Sequence, residues 1–182
     1  QSTVWRWREN AVGVRGLSAW HSLAELSRAL QEHNQLPDGI SAEDVAAAAE
    51  QRAARWRILV SDTRLTMLAM RPLLVDMVEQ AAERLAGGQT RLQVYSAHPS
   101  SILALLGALR LDFTGQWPMA GSILSTELFL LRGGSSSPAG PANAYLRFSL
   151  DGNILRSALA GSSKSALEFV PFEHLQALVA EP

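Results

Sequence analysis

The sequence predicts an α/β protein in which helices come first and a sheet follows. Three observations carry that expectation. Apolar residues recur at helical spacing between residues 17 and 87. After Gly88 the pattern shortens towards a strand-like period. Asp151-Gly152 then stands between two alternating runs, as a two-residue hairpin turn would. The expected organisation is an N-terminal arm (1–16), a helical segment (17–87) and an α/β segment (88–182), together one domain.

Each element has its own signal. Ser22-Leu23-Ala24-Glu25 has the spacing of a capping box, so a helix is expected from there to Asn34, with Leu23, Leu26 and Leu30 on one stripe. Leu36-Pro37-Asp38-Gly39 is a turn sequence. Ser41-Ala42-Glu43-Asp44 opens a second helix, its acids suiting the positive end of the dipole. Val45, Ala49, Ala53, Trp56 and Val60 share a face there, which leaves Arg52, Arg55 and Arg57 as an expected solvated face. Ser61-Asp62 interrupts, and Leu74, Met77, Val78, Ala81 and Leu85 mark a third helix, kinked or divided at Pro72 and capped by Gly87-Gly88. Met67, Met70 and Met77 read as core filling.

Beyond the glycine pair, Leu92, Val94 and Tyr95 read as a short buried strand and Ile102–Leu109 as a helix. A strand is expected over Ile123–Leu131, a flexible loop over residues 133–141, and a hairpin of Tyr145–Leu150 with Asn153–Arg156. Residues 161–165 are a second turn, and Pro171 suits the first position of a closing helix with Phe172, Leu175 and Val179.

Composition excludes several classes of function. The chain has 182 residues, 47% hydrophobic, with 16 Lys+Arg against 17 Asp+Glu, so it lacks the basic excess that broad phosphate-backbone binding needs. The longest apolar run, Ile102 to Leu109, is too short to cross a bilayer. No cysteine is present, which removes disulfides, thiolate nucleophiles and Cys-based zinc sites and leans towards an intracellular setting, cytosol or organelle. The chain starts at Gln1, which suggests a removed leader or the downstream part of something longer. Trp5-Arg6-Trp7-Arg8 interleaves aromatic and basic residues, a pattern that can stack on nucleic acid but more simply packs as an edge strand or arm.

The four histidines, His21, His33, His98 and His174, have no partner at the i+2, i+3 or i+4 spacing of a local metal site, so no metal and no cofactor is expected. His98 alone falls where a strand is expected to end and a helix to begin, the place where α/β sheets take ligands. Helix-start amides favour anions, phosphate above all, and a histidine there can donate to a phosphate oxygen.

Val94-Tyr95-Ser96-Ala97-His98, the apolar helix behind it, Trp117-Pro118 and Glu127-Leu128 together resemble the histidine acid phosphatases, whose pattern here is a strand ending Y-S-A-H-D, a leucine-rich helix, W-P and a strand carrying a glutamate. Leu36–Ser41, Trp56 and Arg71-Pro72-Leu73-Leu74 look like the end of that family's helical cap, and Tyr145–Asp151 and Phe169-Val170-Pro171-Phe172 like its last strands and helix. The resemblance implies the C-terminal portion of a three-layer α/β core with part of a cap, spanning about residues 20–180. It also implies phosphomonoester hydrolysis through a phosphohistidine, with His98 matching the family's second, phosphate-binding histidine.

Two departures bear on that chemistry. No R-H-G-x-R-x-P occurs in the 182 residues, so the nucleophile and arginine clamp are missing from this stretch. The family's aspartate proton donor is replaced by Pro99, which has neither an acid nor an N–H, a loss typically of about 10²–10⁴-fold in rate. Asp112 and Glu127 are the nearby carboxylates that could stand in. The expectation is a catalytically inactive histidine-phosphatase-like chain that serves as a structural or binding component, with its missing N-terminal half or a companion chain as partner and a phosphate or phosphomonoester at His98. The alternative is a fragment or subunit of an active acid phosphatase. No nucleic-acid partner and no transmembrane segment are expected.

Overall fold

The computed structural model describes residues 16–113, 117–131, 143–159 and 166–180, the side chains of 16–23 and 59 excepted. The Trp5–Arg8 pattern and the expected loops over 133–141 and 161–165 lie outside these residues. Two compact units divide between Ile58 and Leu59, inside the second helix, so the residue-87 boundary read from the sequence falls within the second unit.

The first unit holds α1 (Gly16–Glu32) and most of α2 (Ala42–Ser61). α1 already runs through Ser22, so Ser22 and Glu25 do not start it. Its end closes on Asn34, which takes a left-handed φ of 54° while Asn34 N–H donates to the Gln31 carbonyl and Gln35 N–H to that of Leu30. This double bond pattern is a Schellman cap, and asparagine tolerates the left-handed region better than most residues. Ala24 and Ser27 are the buried positions, while Leu26 is 46% exposed, so the expected leucine stripe is displaced. Pro37 to Ile40 form a hydrogen-bonded turn with Gly39 at φ 85°, as its sequence suggests.

The capping box sits at α2 instead. Asp44 N–H donates to Ser41 Oγ at 3.1 Å, and Ser41 N–H donates to Asp44 Oδ2 at 3.0 Å. Val45 and Ala48 are buried on this helix, and so is Arg52, contrary to the solvated face expected for it. Its guanidinium donates to Glu25 Oε1 at 2.7 Å. Periodicity missed this because it scores arginine as polar, whereas a long stem can pack while the head finds a carboxylate. Burial pulls the Arg52 pKa below its ordinary value, against the Glu25 hydrogen bond and charge that raise it.

The second unit begins with the last turn of α2 and α3 (Thr63–Leu85). Asp62 caps α3 by accepting from the amides of Arg64 and Leu65 at 3.0 and 3.1 Å. Pro72 lies inside the helix without dividing it, on its exposed side. Thr66, Leu74 and Val78 are buried along one stripe. Gly87, at φ 100°, closes the helix in a second Schellman cap, with Gly87 N–H on the Arg84 carbonyl and Gly88 N–H on that of Glu83.

α4 (Pro99–Ala108) packs on α3 and buries Leu103, Leu105, Leu106 and Ala108. Gly107 makes the approach close: a Cβ there would stand 2.6 Å from the Val60 carbonyl oxygen and 3.0 Å from Thr66 Cγ2. The helix ends in a third Schellman cap, this time with Arg110 in the left-handed position at φ 49°.

The sheet has four antiparallel strands: β1 (Leu124–Leu130), β2 (Ala144–Leu150), β3 (Asn153–Leu155) and β4 (Val170–Pro171). β1 pairs the whole of β2, from Leu124↔Leu150 to Leu130↔Ala144. β3 and β4 therefore share the other edge of β2, at Phe148–Leu150 and at Tyr145–Leu146. The β2–β3 turn is the expected Asp151-Gly152, both at positive φ (50° and 81°), which matches the twist of the flanking strands. Ala144, Leu146, Phe148 and Leu150 are buried at every second position of β2, on the face that α5 (Phe172–Ala180) covers with Phe172, Leu175 and Leu178. Pro171 belongs to β4, so the closing helix starts one residue later than its sequence suggests. Arg71 of α3 donates to the Val179 carbonyl at 3.1 Å, placing a cation at the negative end of α5. The architecture is mixed α/β with a small antiparallel sheet.

One expected strand is not there. Leu92, Val94 and Tyr95 lie in an irregular segment between α3 and α4, with Leu92 79% and Val94 82% exposed. An apolar, strand-like sequence becomes a strand only when a neighbour supplies backbone partners, and among the described residues none does.

Candidate functional site

The site read from the sequence is the start of α4. His98 is the N-cap, with extended backbone (φ −99°, ψ 160°) and no side-chain capping bond. Its side chain is exposed. Pro99 takes the first helical position, where its fixed φ suits the helix and its missing N–H costs little. The same residue thins the anion site. Position 99 has no amide to offer, and the amides of Ser101 and Ile102 already turn to the His98 carbonyl at 2.9 and 3.3 Å. A helix start attracts phosphate through open amides. Here the first turn keeps few of them.

The two carboxylates considered as stand-ins for the proton donor are both engaged. Asp112 Oδ1 accepts from the Arg156 backbone amide at 2.7 Å, while Asp112 N–H donates to the Arg156 carbonyl at 2.9 Å. Glu127 faces Arg147 across the β1–β2 ladder and accepts from its Nε at 2.9 Å, with a second guanidinium nitrogen at 2.8 Å. That guanidinium also lies 4.9 Å from the ring centre of Phe129 and 5.6 Å from that of Phe169, and Glu168 stands at 3.9 Å. Glu127 is thus held in an ion pair with Arg147 on the sheet.

Of the other histidines, His21 lies within α1, His33 is exposed just after it, and His174 is half-buried on α5. Among the described residues no group of three His, Cys, Asp or Glu is arranged to hold a metal. No helix among them is long and apolar enough to cross a membrane.

The segment leading to His98 carries a contact that sequence reading missed. The Tyr95 hydroxyl donates to Asp76 Oδ2 of α3 at 2.5 Å, and Gln93 Oε1 lies 3.2 Å from the Tyr95 hydroxyl oxygen. Tyrosine has a single hydroxyl hydrogen, so the Gln93 contact becomes a hydrogen bond only if its amide is turned to donate. Burial and the Asp76 carboxylate push the Tyr95 pKa up to about 12. Nothing in the local pattern links positions 76 and 95; only the fold brings them together.

No protein-family model matches the chain, and no characterised protein matches it either. The likeness to the histidine acid phosphatases rests on the residues quoted for it.

Proposed function

We propose that this chain is a histidine-acid-phosphatase-like component without phosphatase chemistry of its own, serving as a structural or binding part of a larger chain or assembly. Pro99 is the observation that carries the reading. It follows the histidine where the resembled family has its acid, and it sits at the first position of α4, where it fits the helix and can give up no proton. The engaged state of Asp112 and Glu127 supports the same view, since neither is poised to replace the acid. Exposed Leu92 and Val94 support the binding role, because apolar side chains side by side in an unpaired segment gain from being covered.

In this reading His98 retains at most a phosphate contact, and the partner is the remainder of the sheet or a companion chain. Incubating the purified chain with an aryl phosphomonoester tests it. The expected result is no phosphate release above the buffer rate. Hydrolysis by the wild-type chain that is lost in His98→Ala would instead favour an active phosphatase fragment.

A further inference from the structure

We propose that Tyr95 and Asp76 form a latch that fastens residues 89–97 as a strap along α3. Every residue from 89 to 98 is exposed, and among the described residues no backbone hydrogen bond ties 89–97 to the rest of the molecule. What holds this segment is side-chain chemistry. At its start Arg84 donates to the Gly88 carbonyl at 2.8 Å and the Gln89 amide to that of Gly87 at 3.2 Å, both contacts local to the helix end. Among the described residues, the long-range tie is Tyr95 to Asp76.

Asp76 lies nine residues before the end of α3, about 13 Å back along the helix at its usual rise. The strap must therefore double back beside α3 for Tyr95 to reach it. Leu92 and Val94 are 79% and 82% exposed, while Gln93 meets the Tyr95 hydroxyl that reaches Asp76, in keeping with the alternation of an extended chain. An extended segment without a ladder, closed by one exposed charge-assisted bond, is poised to lift without disturbing the core beneath α3. Three residues after Tyr95 the chain reaches His98, so the latch also fixes how the chain enters α4. The device is independent of any phosphatase-like role.

Limited trypsin digestion of the whole chain, with the cleaved bonds assigned by mass, reads the latch. Arg91 lies exposed within the strap, and Arg64 in the capped first turn of α3 reports on the helix itself. When opening is fast relative to cleavage, the rate at Arg91 follows the open population. Tyr95→Phe and Asp76→Ala should each raise it about tenfold, as expected for losing a hydrogen bond to a charged group. Asp76→Asn, which keeps an acceptor oxygen, should fall between wild type and Asp76→Ala. The double variant Tyr95→Phe/Asp76→Ala should cleave no faster than either single one. Unchanged cleavage at Arg91, multiplicative effects in the double variant, or an equal rise at Arg64 would each overturn the latch.

Discussion

The Ser157 hydroxyl donates to the Leu109 carbonyl at 2.7 Å, and both residues are fully shut off from solvent. Ser157 is a buried polar hub. Its amide and carbonyl pair with Leu167 at 2.8 Å each way, and its Oγ accepts from the Leu159 amide at 3.2 Å. It joins the end of α4 to the bridged residues between β3 and β4, so its contacts hold together residues far apart in sequence.

Replacing Ser157 with Ala leaves the buried Leu109 carbonyl without this partner, and the part-buried Leu159 amide as well. The expected loss is about 1–3 kcal/mol, the cost of burying an unsatisfied polar group. Urea denaturation should show a lower midpoint at unchanged slope.

Gly107→Ala sets two effects against each other. Alanine is favoured over glycine within a helix by about 1 kcal/mol. The new Cβ, however, would meet a backbone oxygen at 2.6 Å, which cannot swing away as a side-chain tip could. Overpacking of about 1–3 kcal/mol should win, giving net destabilisation in the same denaturation assay.

Arg110 occupies a left-handed cap position that costs an L-residue roughly 1–2 kcal/mol. Glycine escapes this strain but loses more chain entropy on folding. Arg110→Gly should therefore stabilise by about 0.5–1 kcal/mol, read as a raised urea midpoint.

Tyr95 supplies a pH dependence. Its pKa in the fold, about 12, lies above the ordinary value of 10.0 because burial and Asp76 disfavour the phenolate. The folded state thus holds this proton more tightly than the unfolded chain. The stabilisation is fully present below pH 10 and is lost as pH rises towards 12. Spectrophotometric titration should show a phenolate step near pH 12 that is absent in Tyr95→Phe and lowered in Asp76→Asn.

Chemistry that depends on near neighbours was legible in the sequence. Gly87-Gly88 and the Asp151-Gly152 turn act where their residue types say they should, because caps and tight turns are closed within a few positions, whereas Asp62, read only as an interruption, is the N-cap of α3. The capping spacing was ambiguous, since Ser22-x-x-Glu25 and Ser41-x-x-Asp44 share it and only the second box starts a helix. Long-range pairing was not legible. Arg52 finds Glu25, Tyr95 finds Asp76, and Leu92 and Val94 find no strand, each outcome set by what the fold brings alongside. At the site, the sequence placed His98 between a strand end and a helix start; the structure puts it at the N-cap of α4 but has no strand before it. How far Pro99 and the turned-in amides thin that helix start needed the backbone geometry.

The most direct test of the central claim is a single-turnover experiment with a phosphate-labelled phosphomonoester, followed by analysis for acid-labile phosphohistidine. A chain with no R-H-G-x-R-x-P in its 182 residues and with Pro99 where the resembled family has its acid should form no covalent phosphoenzyme and release no phosphate above the buffer rate. Labelled phosphohistidine on this chain, or phosphate release abolished by His98→Ala, would contradict the account.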